Sequence, residues 1–140
     1  MAIEEKLKAQ LILLNSALKD FKKAIDADLT RYDDLEQNWI KNAQIQKFEF
    51  CIELLWKTTK VLFETEGEIL LTPKQNIKAL FQNNIIEEQT YLQLSECLNN
   101  RNLLSHVYKL EMFELIANKI SSHYQVINEA YLGILGRLEN

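Results

Sequence analysis

At 140 residues, 47% of them hydrophobic, the chain is long enough to bury a full core without disulfide or metal staples, and no shift in composition divides it. Three Gly, one Pro and the near absence of strand-type alternation exclude a β-rich fold and predict an all-α chain, read as one domain over 1–140. A net charge of −4 excludes a uniformly basic surface for nucleic acid, so contact with RNA has to come from a local patch.

In chain order, Ile3, Leu7, Leu11, Leu14, Leu18, Phe21 and Ile25 recur at steps of four and three, laying one apolar stripe along a first helix. From 26 to 38 the pattern lapses into Asp- and Thr-rich sequence that favours turns and caps, so a connection with room for a short helical turn is expected. The stripe resumes from about 39 to 66 through Ile40, Ala43, Phe48, Cys51, Leu55, Thr58 and Leu62, widened by Phe50, Leu54, Trp56 and Val61. A helix apolar over so much of its circumference must touch more than one neighbour, in its own chain or in a second copy. Gly67 ends it.

Thr72-Pro73 reads as an N-cap followed by proline at the first helical position, opening a short third helix that runs to about Phe81 and stops at Asn83-Asn84. A fourth runs from 86 to about 98 with Tyr91, Leu94 and Leu98 on its face, and Asn99-Asn100 is expected to stop it, since Asn tolerates the left-handed conformation of helix ends. The last runs from near Ser105 to Leu138 through Leu110, Phe113, Ala117, Ile120, Tyr124, Ile127, Tyr131 and Leu135. Together these predict an antiparallel, up-and-down bundle of about five helices with short connections.

Cys51 and Cys97 have no metal-site spacing and lie in apolar helical stretches, the pattern of small buried hydrophobes in a reducing compartment. No run approaches the roughly 18 apolar residues of a membrane span, and the charged start at Met1 to Lys6 has no signal-peptide core. A cytoplasmic protein with no membrane partner is expected.

The chemistry is concentrated at 99–108, where one of three arginines, one of two histidines and a tyrosine fall together in Asn99-Asn100-Arg101-Asn102-Leu103-Leu104-Ser105-His106-Val107-Tyr108. Arginine is a fixed planar cation that grips phosphate, histidine exchanges protons near neutral pH, and a tyrosine phenol donates or accepts. The combination suits a phosphate ester; the same residues can also do no more than cap a helix joint and pair with a carboxylate. On an unbroken helix, positions 101 and 106 lie about 140° apart at roughly 100° per residue. They meet only if the chain turns at 99–102 or if two chains come together there.

Elsewhere, Glu49, Glu53, Lys57, Lys60 and Glu64 fall at helical i to i+3 and i+4 spacing. They read as surface ion pairs, with Lys57 and Lys60 also able to form a basic rim for phosphate. Trp39 and Trp56 can stack on bases or pack in an interface. His123, with no Cys, Asp or Glu at metal-ligand spacing, reads as a surface or seam residue. No Gly-rich phosphate loop, Gly-x-Ser-x-Gly elbow or paired Cys motif is present, so no cofactor or metal is expected and nucleotidyl transfer itself does not reside in this chain.

Arg101-Asn102-x-x-x-His106 resembles the Arg-polar-x-x-x-His signature of HEPN domains. Extended through Tyr108 it is similar to the Arg-x4-His-x-Tyr of the subgroup encoded beside minimal nucleotidyltransferases. Phe48-Glu49-Phe50-x-x-Glu53-Leu54-x-Trp56-Lys57-Thr58-x-Lys60 resembles the second-helix signature of nucleotidyltransferase substrate-binding proteins, and Thr72-Pro73 before a short helix fits the same layout. The likeness extends over residues 3–135; Leu104 and Lys109 depart from the Thr and the acidic residue common at those places.

The resemblance implies a helical bundle that dimerises about a two-fold axis and, in one branch, a metal-independent endoribonuclease toxin silenced by a nucleotidyltransferase that adenylylates its tyrosine. On that reading His106 is the general acid or base, Arg101 the phosphate clamp, Asn102 an orienting hydrogen-bond partner, Lys57 a supporting cation and Tyr108 the modified residue. Cleaving RNA through its own 2′-hydroxyl needs a base, an acid and a cation for the charged phosphorane, and a two-fold dimer supplies two histidines and two arginines to one cleft. The competing readings are a non-catalytic module that binds a nucleotide or docks the transferase, and a bundle whose Arg101 and His106 are purely structural.

Overall fold

The computed structural model describes residues 2–106 and 110–139, the side chains of Ser105, His106 and Leu110 excepted. The first stripe forms α1, Ile3–Ile25, which buries Leu7, Leu14, Ala17, Leu18 and Phe21 along one face. Glu4 and Glu5 in its first turn and Lys22 and Lys23 in its last complement the helix dipole. Asp28 then caps a 3-10 turn at Leu29–Arg31 by accepting from the Thr30 backbone N–H.

α2, Asp34–Thr65, begins ahead of Trp39 because Asp33 and Glu36 form a capping box. The Glu36 N–H donates to Asp33 Oδ1 at 2.8 Å, and the Asp33 N–H donates to Glu36 Oε1 at 3.2 Å. Most of the wide apolar arc is satisfied inside the chain: α2 buries Phe48, Cys51, Ile52, Leu55, Thr58, Leu62 and others and touches every other described helix, while Phe50 stays 58% exposed. It ends at Gly67, whose φ of 84° is the left-handed conformation a side chain resists.

Thr72 and Gln75 form a second capping box at the start of α3, Pro73–Gln82, each backbone N–H donating to the other's side chain at 3.1 Å. Asn84 ends the following turn at φ 59°. The next helix departs from expectation. α4 spans Glu88–His106 and passes straight through Asn99 and Asn100. The Asn pair does not stop it, because Asn100 is buried with a tertiary partner for its amide. The expected last helix is divided at Lys119 into α5, Leu110–Asn118, and α6, Ile120–Glu139.

Among the described residues the chain is all-helical, with six α-helices against the expected five or so; the division at Lys119 supplies the sixth. α1 packs chiefly on α2, and α6 closes over α1, α2 and α4. The chain runs antiparallel in α4 and α6, since Thr90 pairs with Glu129 near one end and Asn100 with His123 near the other. Gly133 lets α6 come close to the turn before α4, where a Cβ would stand 2.5 Å from the Ile85 carbonyl oxygen. One turn further along α6, Arg137 donates to both carboxylate oxygens of Glu66, at 2.8 and 2.5 Å. No described helix is long and apolar enough to cross a membrane.

Candidate functional site

The site is built on the last two turns of α4, whose two sides are held in different ways. Inward, Asn100 is 6% exposed and its Nδ2 stands 3.1 Å from His123 Nε2 on α6. His123 is itself buried and its ring stacks on Phe48 of α2, with centroids 4.8 Å apart. Burial lowers the His123 pKa to about 4, with Glu96 opposing the shift and Lys119 adding to it. At neutral pH the ring is therefore uncharged, and Nε2 accepts the Asn100 amide proton. His123 lies in the seam joining three helices; its role is to satisfy a buried amide, which no spacing in the sequence indicated.

One position further along, Arg101 turns outward and its Nε lies 3.3 Å from Glu53 Oε2 on α2. Glu53 also lies 3.9 Å from Lys57, whose ammonium stands 5.9 Å over the Trp56 ring. One carboxylate thus stands between two cations and draws the guanidinium toward α2. The Glu53–Arg101 pair separates two open hollows. The first, about 380 Å³, is bounded by Trp56 and Glu53 on α2, Leu98, Arg101 and Asn102 on α4, and the Thr72 to Lys74 turn that opens α3. The second, about 390 Å³, is lined by Gln46, Glu49, Phe50 and the same ion pair.

Of the residues singled out by sequence, the structure brings together Arg101 and Asn102 in one cleft and links Lys57 to them through Glu53. Lys60 instead pairs with Glu64. Trp39 is 61% exposed and lies about 20 Å from Glu53 along α2 at 1.5 Å per residue, away from this site. Leu104 packs against the core. The His106 side chain, Tyr108 and Lys109 lie outside the described residues. Because α4 is continuous from Glu88 to His106, the turn at 99–102 expected to bring positions 101 and 106 onto one face is absent. They remain about 140° apart around one helix.

Glu53, Lys74, Asn100 and His123 are the participants that the sequence did not assign to this site. A signal for Asn100 exists: Leu94, Cys97, Asn100 and Leu104 continue the buried stripe of α4 through the supposed stop. Among the described residues, no three His, Cys, Asp or Glu side chains group in a way that could hold a metal ion. Both cysteines are buried thiols; burial pushes Cys51 up to about 12 and Cys97 higher still.

With this geometry in view, comparison with known proteins identifies the class. The family described as nucleotidyltransferase substrate binding protein like matches residues 9–133, and the chain belongs to it. The fold is also that of solved HEPN proteins. A tri-AMPylated Shewanella oneidensis HEPN toxin in complex with MNT antitoxin superposes with a TM-score of 0.72 at 14% identity, over 93% of this chain and 96% of that one. A mutant of the toxin–antitoxin MntA–HpeT gives 0.71 at 15% identity, covering 93% and 97%. A protein from Thermus thermophilus gives 0.71 at 22% identity, covering 91% and 99%. At these identities the likeness is one of fold. No curated protein matches the sequence.

Proposed function

We propose that this chain is the HEPN-type partner of a separate minimal nucleotidyltransferase, and that two copies of it form a cleft that cleaves RNA without a metal ion. The observation that carries the reading is Arg101: a guanidinium oriented by Glu53 at 3.3 Å, at the border of two open hollows, on the helix that also carries His106. Membership of the nucleotidyltransferase substrate-binding family and a fold shared with a HEPN toxin solved with its MNT antitoxin support the same partner.

The continuity of α4 supports a second copy. One straight helix separates positions 101 and 106, whereas a two-fold partner brings its own His106 toward Arg101 of the first copy. In that composite cleft one His106 takes the proton of the RNA 2′-hydroxyl, whose oxygen attacks the adjacent phosphorus. Arg101 stabilises the charged phosphorane, the bond to the 5′-oxygen breaks, and the second His106 protonates the leaving oxygen. Asn102 orients the phosphate and Lys57 supports it from the rim. A nucleotidyltransferase that adds adenylate to Tyr108 would place bulk and negative charge beside this pocket and exclude RNA; a tri-AMPylated toxin shares the fold.

The test is RNA cleavage by the purified chain, by Arg101→Ala, by His106→Ala, and by an equimolar mixture of the two variants. Cleavage by the parent, loss in each variant and no recovery in the mixture is the expected result, because a mixed dimer keeps a single His106 whereas the reaction uses one copy's as base and the other's as acid. Intact RNA with the folded parent chain would refute the nuclease. It would leave the second reading, a helical module that docks the transferase or holds a nucleotide, which the net charge of −4 favours.

A further inference from the structure

Trp39 stands on a part of α2 that the core of its own chain does not use. Residues 34–43 bury no side chain. They project beyond α1, whose last turn is level with Gln44, since Gln44 Nε2 donates to the Ala24 carbonyl at 2.9 Å. Leu35 and Trp39 on this overhang are 59% and 61% exposed. At roughly 100° per residue, Leu35, Trp39, Gln46, Phe50, Glu53 and Lys57 fall within an arc of about 60°. One outer face of α2 thus runs without a break from the exposed indole to the hollow that Gln46, Phe50, Glu53 and Arg101 line.

Charge along that face is uneven. α2 opens on Asp33, Asp34 and Glu36, and carries Lys57 and Lys60 about six turns later. A second copy laid antiparallel about a two-fold axis brings the acidic start of each helix against the lysines of the other. Gln46 is exposed and uncharged, so it can face its own copy at the axis without repulsion. With Gln46 there, equal steps to either side set the partner's Leu35 against Lys57, and the partner's Trp39 against Glu53 and its mate Arg101. An axis one turn later, at Phe50, sets Glu36 of one copy against Glu64 of the other, which repel.

The direction of α4 agrees with the axis at Gln46. α6 runs beside α2 in the same direction, since His123 stacks on Phe48 and Arg137 stands over Phe63. α4 is antiparallel to α6, so from Arg101 it heads toward the start of α2, and position 106 lies about 7.5 Å nearer the level of Gln46.

We infer that the first turns of α2 are an arm that lies across the outer face of α2 in a second copy, and that the partner's Trp39 completes the Arg101 cleft. The indole covers the Glu53–Arg101 pair, where it keeps water from the ion pair and offers its face to the guanidinium. Trp39 is a positioning residue supplied in trans. The inference deepens the proposed function and rests on it for the presence of a second copy; it adds which faces meet and which side chain crosses.

Trp56→Phe leaves Trp39 as the only tryptophan fluorophore of the chain. In that background, acrylamide quenching of Trp39 should fall severalfold between nanomolar and high micromolar protein, in step with the appearance of dimer in sedimentation. Lys57→Glu and Asp34→Lys, both at exposed positions, should each weaken pairing about tenfold. The double variant should recover most of that loss, because the two charges exchange places across the axis. A role for either residue within its own copy predicts no such recovery.

A dimer whose Trp39 stays as open to acrylamide as in the dilute chain overturns the inference. So does a double variant that pairs no better than the weaker single one, or a chain that stays monomeric at high micromolar concentration. The failure of the nuclease is separable from the failure of the arm. RNA left intact by a dimer that shields Trp39 refutes the nuclease alone, and RNA cleaved by a dimer that leaves Trp39 open refutes the arm alone.

Discussion

Asn100 and Arg101 are consecutive residues of one helix, yet their side chains are fixed by opposite means. The amide points inward and is held by an uncharged ring that is itself stacked and buried. The guanidinium points to the clefts and is held by a carboxylate that remains partly solvated. A buried neutral bond is strong because its loss strands a polar group away from water, whereas an ion pair with both partners about a third exposed is replaced in part by water when it breaks. The inner side of α4 therefore carries stability, and the outer side keeps a charge oriented for a ligand.

Breaking the inner side should have the largest effect. His123→Ala removes the stacked ring, opens a hole beside Phe48 and leaves the Asn100 amide without its partner, which should cost roughly 3–4 kcal/mol in urea or thermal unfolding.

Acid should produce the same loss gradually. His123 stays neutral in the folded chain down to about pH 4, whereas an unfolded imidazole protonates near 6.5. The unfolded state therefore takes up the proton first. Stability from this group is complete above pH 6.5 and falls as pH drops from 6.5 to 4, by roughly 3 kcal/mol in all. The difference between the parent and His123→Leu across that interval isolates it, and a flat difference would show that the ring is not held neutral.

The smallest stability effect belongs to the outer side. Arg101→Ala and Glu53→Gln should each change unfolding by no more than about 1 kcal/mol. Arg101→Ala should nonetheless abolish RNA cleavage, and a loss of several kcal/mol in either variant would erase the distinction between the two sides.

The helices with strong local signals were readable from the sequence. The steps of three and four in α1, the Thr72-Pro73 start of α3 and the Asn83-Asn84 stop are local facts, and the chain obeys them. The start of α2 was written there too, as Asp33-x-x-Glu36, inside sequence that otherwise reads as a connection. The continuity of α4 was not readable in the same way. Asn100 looks like a terminator until His123 of another helix satisfies its amide, and that partner is supplied by tertiary structure. For the same reason Glu53 reads as the local mate of Lys57, and its contact with Arg101 appears only once α2 and α4 pack. Arg101, His106 and Tyr108 stand out by residue type, but the assembly that makes them a site is not encoded in their spacing.

The order of helices also sets an order in time. α1 and α2 are neighbours in sequence and pack on each other, so their contact closes a short loop and can form early. His123 belongs to α6, which follows the other five helices and settles on α1, α2 and α4. At roughly 5–20 residues per second, a ribosome completes the Arg101 turn of α4 on the order of seconds before His123 is made. During that interval Asn100 lacks its partner and nothing from α6 fixes the rotation of α4. A chain proposed to cut RNA would thus settle α4 on α2 and α3 first, and would gain the buried anchor behind Arg101 only as α6 docks.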